Sequence, residues 1–124
     1  MALERPEIDF PEGRPPEYLD ITDIKEGDGP EAAKGSNVSM HYVGVSWSTG
    51  EEFDASWNRG STLDFELGSG RVIKGWDMGL VGMKVGGRRK LVIPAHLAYG
   101  DRSPSPAIKP GETLIFVVDL MAVG

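Results

Sequence analysis

Six residues carry most of the chemistry available to this 124-residue chain: Tyr42, Phe53, Asp54, Trp76, Tyr99 and Phe116. Five are aromatic and one is an acid, and they are scattered over five segments. Trp76 lies in Val72-Ile73-Lys74-Gly75-Trp76-Asp77, and Val72, Ile73, Trp76, Leu80 and Met83 recur at helical spacing. A lone tryptophan on such a face is ordinarily core. The other aromatics fall where inward-facing strand residues or loop aromatics are expected, which tilts the balance away from Trp76 as core alone. Aromatic walls give large contact area with little rotamer loss. Reagents for bond-breaking chemistry are missing. There is no cysteine, and His41 and His96 are the only histidines, with no paired acids at metal-ligand spacing. Gly68-Ser69-Gly70 lacks the third glycine of a dinucleotide loop, and no Gly-x-Ser-x-Gly elbow occurs. A chain without an obvious nucleophile suits a reaction that breaks no bond.

Charge narrows the partners. Residues 1–34 hold ten Asp or Glu against four Lys or Arg, which accounts for the whole net charge of −6; residues 35–124 hold nine of each. An acidic start and a balanced remainder argue against nucleic acid, which attracts clustered positive charge. The run Arg88-Arg89-Lys90 reads as a solvated strand end. Asn37-Val38-Ser39 matches a glycosylation acceptor by chance. The longest aliphatic-aromatic run, Leu114 to Val118, is far too short to span a bilayer. A cytoplasmic monomer with no membrane partner and no cofactor is expected.

The elements that must position these residues follow from periodicity. Residues 1–17, with Pro6, Pro11, Pro15 and Pro16 among acids, predict an extended extension with few apolar anchors, although Ile8 and Phe10 are able to dock. Residues 18–124 form the domain. Leu19 and Ile21 alternate as on a half-buried strand, followed by a Gly27-Asp28-Gly29-Pro30 turn. Val38, Met40 and Tyr42 alternate, Ser48-Thr49-Gly50 marks a hairpin turn, and Leu63, Phe65 and Leu67 alternate again. A helix is predicted from about Ile73 to Gly82, then a strand over Lys90 to Ile93, one helical turn over Ala95 to Tyr99, and a Pro/Ser-rich loop from Gly100 to Gly111. Thr113 to Val123 is the last strand, with Leu114, Phe116, Val118 and Leu120 on one face. The class is α+β: an antiparallel sheet of five or six strands wrapped around one short helix.

Six motifs then occur in a telling order: His41-Tyr42-Val43-Gly44, Phe53-Asp54-Ala55-Ser56, Val72-Ile73-Lys74-Gly75-Trp76, Gly82-Met83-Lys84-Val85-Gly86, Leu97-Ala98-Tyr99-Gly100 and Leu114-Ile115-Phe116. Together they make the chain, from about Tyr18 to Val123, resemble the FKBP-type peptidyl-prolyl isomerases, the immunophilins that bind tacrolimus and rapamycin. The resemblance implies a half-barrel with a pocket between its concave face and the helix. It implies catalysis of cis/trans exchange at Xaa-Pro bonds in peptides and protein clients, without metal or cofactor. It assigns catalysis to Asp54, Tyr99, Phe53, Trp76 and Phe116. Contact with substrate or macrolide falls to these and to Tyr42, Arg59, Leu63, Arg71, Val72, Ile73, Ala107 and Ile108. Trp76 would floor the proline pocket, with the Tyr99 hydroxyl and the Ile73 N–H as donors to carbonyls. Asp54 either orients Tyr42 and Arg59 and polarises the amide region, or is a structural acid bonded to backbone in the bulge after Phe53.

The implied reaction has a simple physical demand. Amide resonance sets a barrier of roughly 18–20 kcal/mol, while the two proline isomers differ by only about 0.5–1 kcal/mol. The twisted transition state loses resonance and polarity, so a dry, shape-complementary cavity lowers the barrier. Three positions depart from the family pattern. Leu63 stands where many members have an aromatic residue, Arg71 where an acid is usual, and the Gly100–Pro110 loop has Pro104, Pro106 and Ala107 in place of a histidine. No inserted chaperone flap is present. The alternative is a module that binds proline segments or a macrolide without catalysis; a structural role in a larger assembly ranks third.

Overall fold

A computed structural model describes residues 4–8, 11 and 13–124. Six antiparallel strands run in chain order: β1 (Asp20–Lys25), β2 (Asn37–Ser46), β3 (Glu52–Ala55), β4 (Leu63–Glu66), β5 (Arg88–Ile93) and β6 (Leu114–Val123). One helix, α1 (Lys74–Gly79), lies between β4 and β5. The sheet order is β1-β5-β6-β2-β3, with β4 also paired to β2. The ten-residue β2 makes this arrangement. Its first half, Asn37 to Met40, pairs with β4; its second half, Val43 to Val45, pairs with β3; its other edge runs along β6. Among the described residues no helix is long and apolar enough to cross a membrane.

Period-2 patterning gives the sheet two apolar faces. Leu114, Phe116, Val118 and Leu120 of β6 join Met40, Tyr42, Leu91, Ile93 and Trp76 in the main core under the helix. Ile115, Val45 and Val92 point the other way and form a smaller cluster on the outer face. The helix lies against β5 through its glycines. A Cβ on Gly75 would stand 2.5 Å from Ile93 Cγ2, and one on Gly79 would stand 2.9 Å from Leu91 Cδ2.

Several expectations need correction. The helix is shorter than Ile73 to Gly82. Ile73 has extended backbone (ψ 150) as the N-terminal cap residue, and the chain turns away at Gly82, whose φ of 88 favours glycine. The first strand is not half-buried: Leu19 packs on the core, but Ile21 and Ile24 are exposed on the edge strand β1. Nor is the basic run a solvated strand end. Arg88 pairs with buried Asp119 at 2.7 Å, and Arg89 pairs with Asp23 at 2.6 Å. Arg89 also donates to the carbonyls of Gly79 (2.9 Å) and Val81 (3.2 Å), satisfying acceptors left open where α1 ends.

The N-terminal segment is better anchored than its composition suggests. Pro6 is buried, and Ile8 packs with Trp47 on the outer-face cluster. Arg5 binds Glu52 and Asn58, Arg88 donates to the Glu4 carbonyl, and Trp47 Nε1 donates to the Gly13 carbonyl at 3.3 Å. Phe10 lies outside the described residues.

Candidate functional site

Between the concave face and α1 opens a cleft of about 440 Å³. Trp76 forms its floor, 4% exposed. The rings of Tyr42 (5.0 Å) and Phe116 (5.1 Å) meet the indole edge-on, and Phe65 tilts against it at 5.8 Å. Phe53 stands perpendicular to Phe116 at 5.4 Å. Such edge contacts suit the aromatic quadrupole. The Phe53 and Phe116 rings sit as they do over Gly44, which has no side chain: a Cβ there would lie 2.6 Å from Phe53 Cζ and 2.7 Å from Phe116 Cε1.

One wall carries a polar triad. The Tyr42 hydroxyl donates to Asp54 Oδ2 at 2.5 Å, and Arg59 donates to Asp54 Oδ1 at 2.8 Å and to the Tyr42 hydroxyl at 2.9 Å. The guanidinium also stands 5.7 Å from the Tyr42 ring centroid, within cation–π range. The bulge falls at Phe53 itself and not after it, since pairing shifts between Gly44–Asp54 and Val45–Glu52. Asp54 bonds to side chains there, not to backbone. Behind the triad, the buried Ser56 hydroxyl accepts the Tyr42 N–H at 2.7 Å and meets His41 Nδ1 at 2.9 Å, tying the turn after β3 to β2. Burial raises the Tyr42 pKa above its ordinary value, and its bond to Asp54 raises it further, against the opposing pull of Arg59. Tyr99 is raised too, first by burial and then by the charge of Asp54.

The opposite wall depends on Asp77. Its carboxylate accepts the N–H groups of Gly68 (2.8 Å) and Gly70 (2.9 Å), which pins the loop leading into α1. That loop carries Arg71, Val72 and Ile73 to the cleft. The Ile73 N–H makes no hydrogen bond with the described residues.

Of the residues singled out in the sequence, ten line this cleft: Tyr42, Phe53, Asp54, Leu63, Arg71, Val72, Ile73, Trp76, Tyr99 and Phe116. Arg59 stands behind Asp54 and Tyr42 and reaches the cleft only through them. Ala107 and Ile108 do not line it. Ile108 is 3% exposed and turned into the main core, and the Ala107 carbonyl accepts the Ser46 hydroxyl. Sequence reasoning missed Gly70, Ala98 and Arg102, which complete the lining. All three come from loops, where no periodicity marks which way a residue faces. Among the described residues no group of three or more His, Cys, Asp or Glu could hold a metal ion.

Comparison with known proteins gives the family. The sequence profile of FKBP-type peptidyl-prolyl cis-trans isomerases matches residues 29–121. An FK506-binding protein of Streptomyces anulatus is 68% identical over 124 residues, covering 99% of this chain and 100% of that one. Among solved structures, an FKBP12 from Mycobacterium tuberculosis is 92% identical, with a TM-score of 0.65 and coverage of 97% and 95%. The crystal structure of AtFKBP13 is 43% identical, with a TM-score of 0.77 over 86% of this chain and 93% of that one. The chain belongs to the FKBP-type peptidyl-prolyl cis-trans isomerases, enzymes that rotate the Xaa-Pro bond.

Proposed function

We propose that the cleft is where this isomerase works, and that it works by taking a proline ring onto Trp76 in a water-poor aromatic cavity. The observation that carries this reading is the edge-on packing of Tyr42 and Phe116 against a nearly buried indole, with Phe53 completing the wall. A planar amide is dipolar, and its twisted transition state is less so; losing water therefore costs the ground state more. Every 1.4 kcal/mol or so of that difference speeds rotation about tenfold. The Ile73 N–H and the Tyr99 hydroxyl would hold substrate carbonyls on either side of the bond. The backbone N–H does not titrate, and burial favours the protonated, donating form of Tyr99. Asp54, held by Arg59, would orient Tyr42 and set the negative potential beside the rotating amide. Binding of tacrolimus and rapamycin in the same cleft belongs to this reading, as does a cytoplasmic monomer acting on proline-containing peptides and protein clients.

A protease-coupled isomerisation assay, with and without tacrolimus, tests it. Exchange at the buffer rate with micromolar enzyme would sink the cleft as a catalyst. Undiminished activity at saturating tacrolimus would strike out the macrolide alone. Binding at Trp76 should also alter its fluorescence, read in a Trp76→Leu comparison because Trp47 and Trp57 contribute background.

A further inference from the structure

Of the seven arginines of the chain, Arg14 lies away from the cleft beside Pro94 and His96, and the other six divide by what they hold. Arg5 pairs with Glu52, Arg59 with Asp54, Arg88 with Asp119 and Arg89 with Asp23. Arg71 and Arg102 are different. Both are exposed, both line the cleft, and neither guanidinium forms an ion pair with the described residues. They come from separate loops, Arg71 from the segment pinned by Asp77 and Arg102 from the segment after Tyr99. The only acid in the lining is Asp54, and Tyr42 and Arg59 already occupy its two oxygens. Asp101, next to Arg102 in the chain, forms no ion pair with it. Arg71 also borders a neighbouring hollow with Asp64 and Glu66, yet pairs with neither. The mouth of the aromatic-walled cleft thus carries two uncommitted positive charges.

Two free guanidiniums at the rim of a low-dielectric cavity attract anions and match the planar geometry of a carboxylate. An uncharged or basic segment gains nothing from them. Resting on the reading of the cleft given above, we propose that Arg71 and Arg102 are specificity residues that select proline segments with an acidic residue beside the proline. Trp76 takes the ring, and the arginines take the flanking carboxylate. The apolar walls favour the proline itself, so the preference acts on the neighbouring position without replacing the apolar floor.

Protease-free exchange NMR on two peptide sets tests this. One set has Glu, Gln or Lys just before the proline, and the other has the same residues just after it. For the unmodified enzyme, kcat/KM should rank Glu above Gln above Lys in at least one set, with Glu over Lys by about fivefold to tenfold at low salt. The ratio should shrink in 0.5 M salt, where screening reaches within a few ångströms. Arg71→Gln with Arg102→Gln should bring the ratio near one, and Arg71→Glu with Arg102→Glu should invert it. Circular dichroism confirms that each variant is folded. Clear activity with no charge ranking in either set overturns the preference while leaving the cleft intact. A ranking that survives both double variants overturns the assignment to these arginines. Buffer-rate exchange for every peptide overturns the cleft reading and the preference together.

Discussion

Replacing Gly44 with alanine tests whether ring position in the cleft governs turnover. Gly44 lies in β2 between Asp54 of β3 and Phe116 of β6, so ladder pairing on both sides holds its backbone. The added methyl would start 2.6 Å from Phe53 Cζ and 2.7 Å from Phe116 Cε1. Carbon atoms prefer roughly 3.5–4.0 Å, so each ring must withdraw by about 1 Å. Phe53 is half-buried and has room to swing. Phe116 does not: it is 3% exposed, with Trp76 5.1 Å and Tyr42 6.3 Å away. Overpacking of this kind costs about 1–3 kcal/mol. At roughly 4 °C per kcal/mol for a chain of this length, the Tm should fall by about 4–12 °C.

An ordinary reserve of about 5–15 kcal/mol keeps such a variant almost fully folded at 25 °C. Any change in kcat/KM there reports geometry and not unfolding. A displacement of about 1 Å in a positioned site costs up to roughly a hundredfold, and a loss of about tenfold is expected here because only walls move. Exchange NMR and thermal circular dichroism on one sample give both numbers. Gly124→Ala, whose Cβ would find its nearest neighbour 4.0 Å away, is the control. Unchanged Tm and unchanged kcat/KM in Gly44→Ala would refute the steric argument. A lower Tm with full activity would break the link between ring position and turnover.

Asp54→Val should lower kcat/KM several-fold yet cost less than about 1 kcal/mol, because the Asp54 and Arg59 side chains are 45% and 46% exposed; a stable, fully active variant removes Asp54 from the catalytic set. Burial raises both Tyr42 and Tyr99, so their hydroxyls stay neutral in the folded protein where an unfolded chain ionises near pH 10. Their stability contribution is complete below about pH 10 and is lost as pH rises through the folded values. Accordingly kcat/KM should show no alkaline limb below pH 10, and a limb centred near pH 9 would contradict the donor role. Removing residues 1–16 uncovers Val45, Val92 and Ile115 and releases Glu52 from Arg5. A Tm drop equivalent to about 1–2 kcal/mol is expected, with activity at 25 °C within about twofold; an unchanged Tm would mean that the segment does not hold the outer face in solution.

The strand faces were legible because they rest on local patterning, whereas the gathering of Phe53, Asp54 and Tyr99 around Trp76 came from the family resemblance. Alternation in Val38-Met40-Tyr42 and in Leu114-Phe116-Val118-Leu120 places those side chains on one face, whatever the pairing partner. Within α1 the indole of Trp76 turns to that same core, with Leu80 at the helix end beside it, while Val72 and Ile73 precede the helix and reach the cleft from the loop. Partners far apart in the chain were not legible. Arg88 and Arg89 look like a solvated strand end until Asp119 and Asp23 arrive from 31 and 66 residues away. Ile8 finds its apolar patch only once Val45, Val92 and Ile115 have been brought together from three strands. Loop residues were hidden for a related reason. Nothing local indicates that Arg102 faces the cleft while Ile108, six residues later, turns into the core.

The less visible determinants are the residues that lack side chains. Gly75 and Gly79 let α1 lie against Ile93 and Leu91, and that closeness decides how far the indole of Trp76 reaches over the sheet. Gly44 decides where Phe53 and Phe116 meet it. Arg89 secures the helix from its other end by binding the carbonyls of Gly79 and Val81, while Asp77 fastens the loop on the opposite wall. Each of these contacts sets a distance without touching the bond that rotates. On the mechanism proposed above, rotation is accelerated only as far as the cavity fits the twisted amide better than the planar one. In such a catalyst the distance-setting residues matter to rate as much as the aromatic ones do, and the depth of the cleft, more than the identity of any single wall, is what the fold has to maintain.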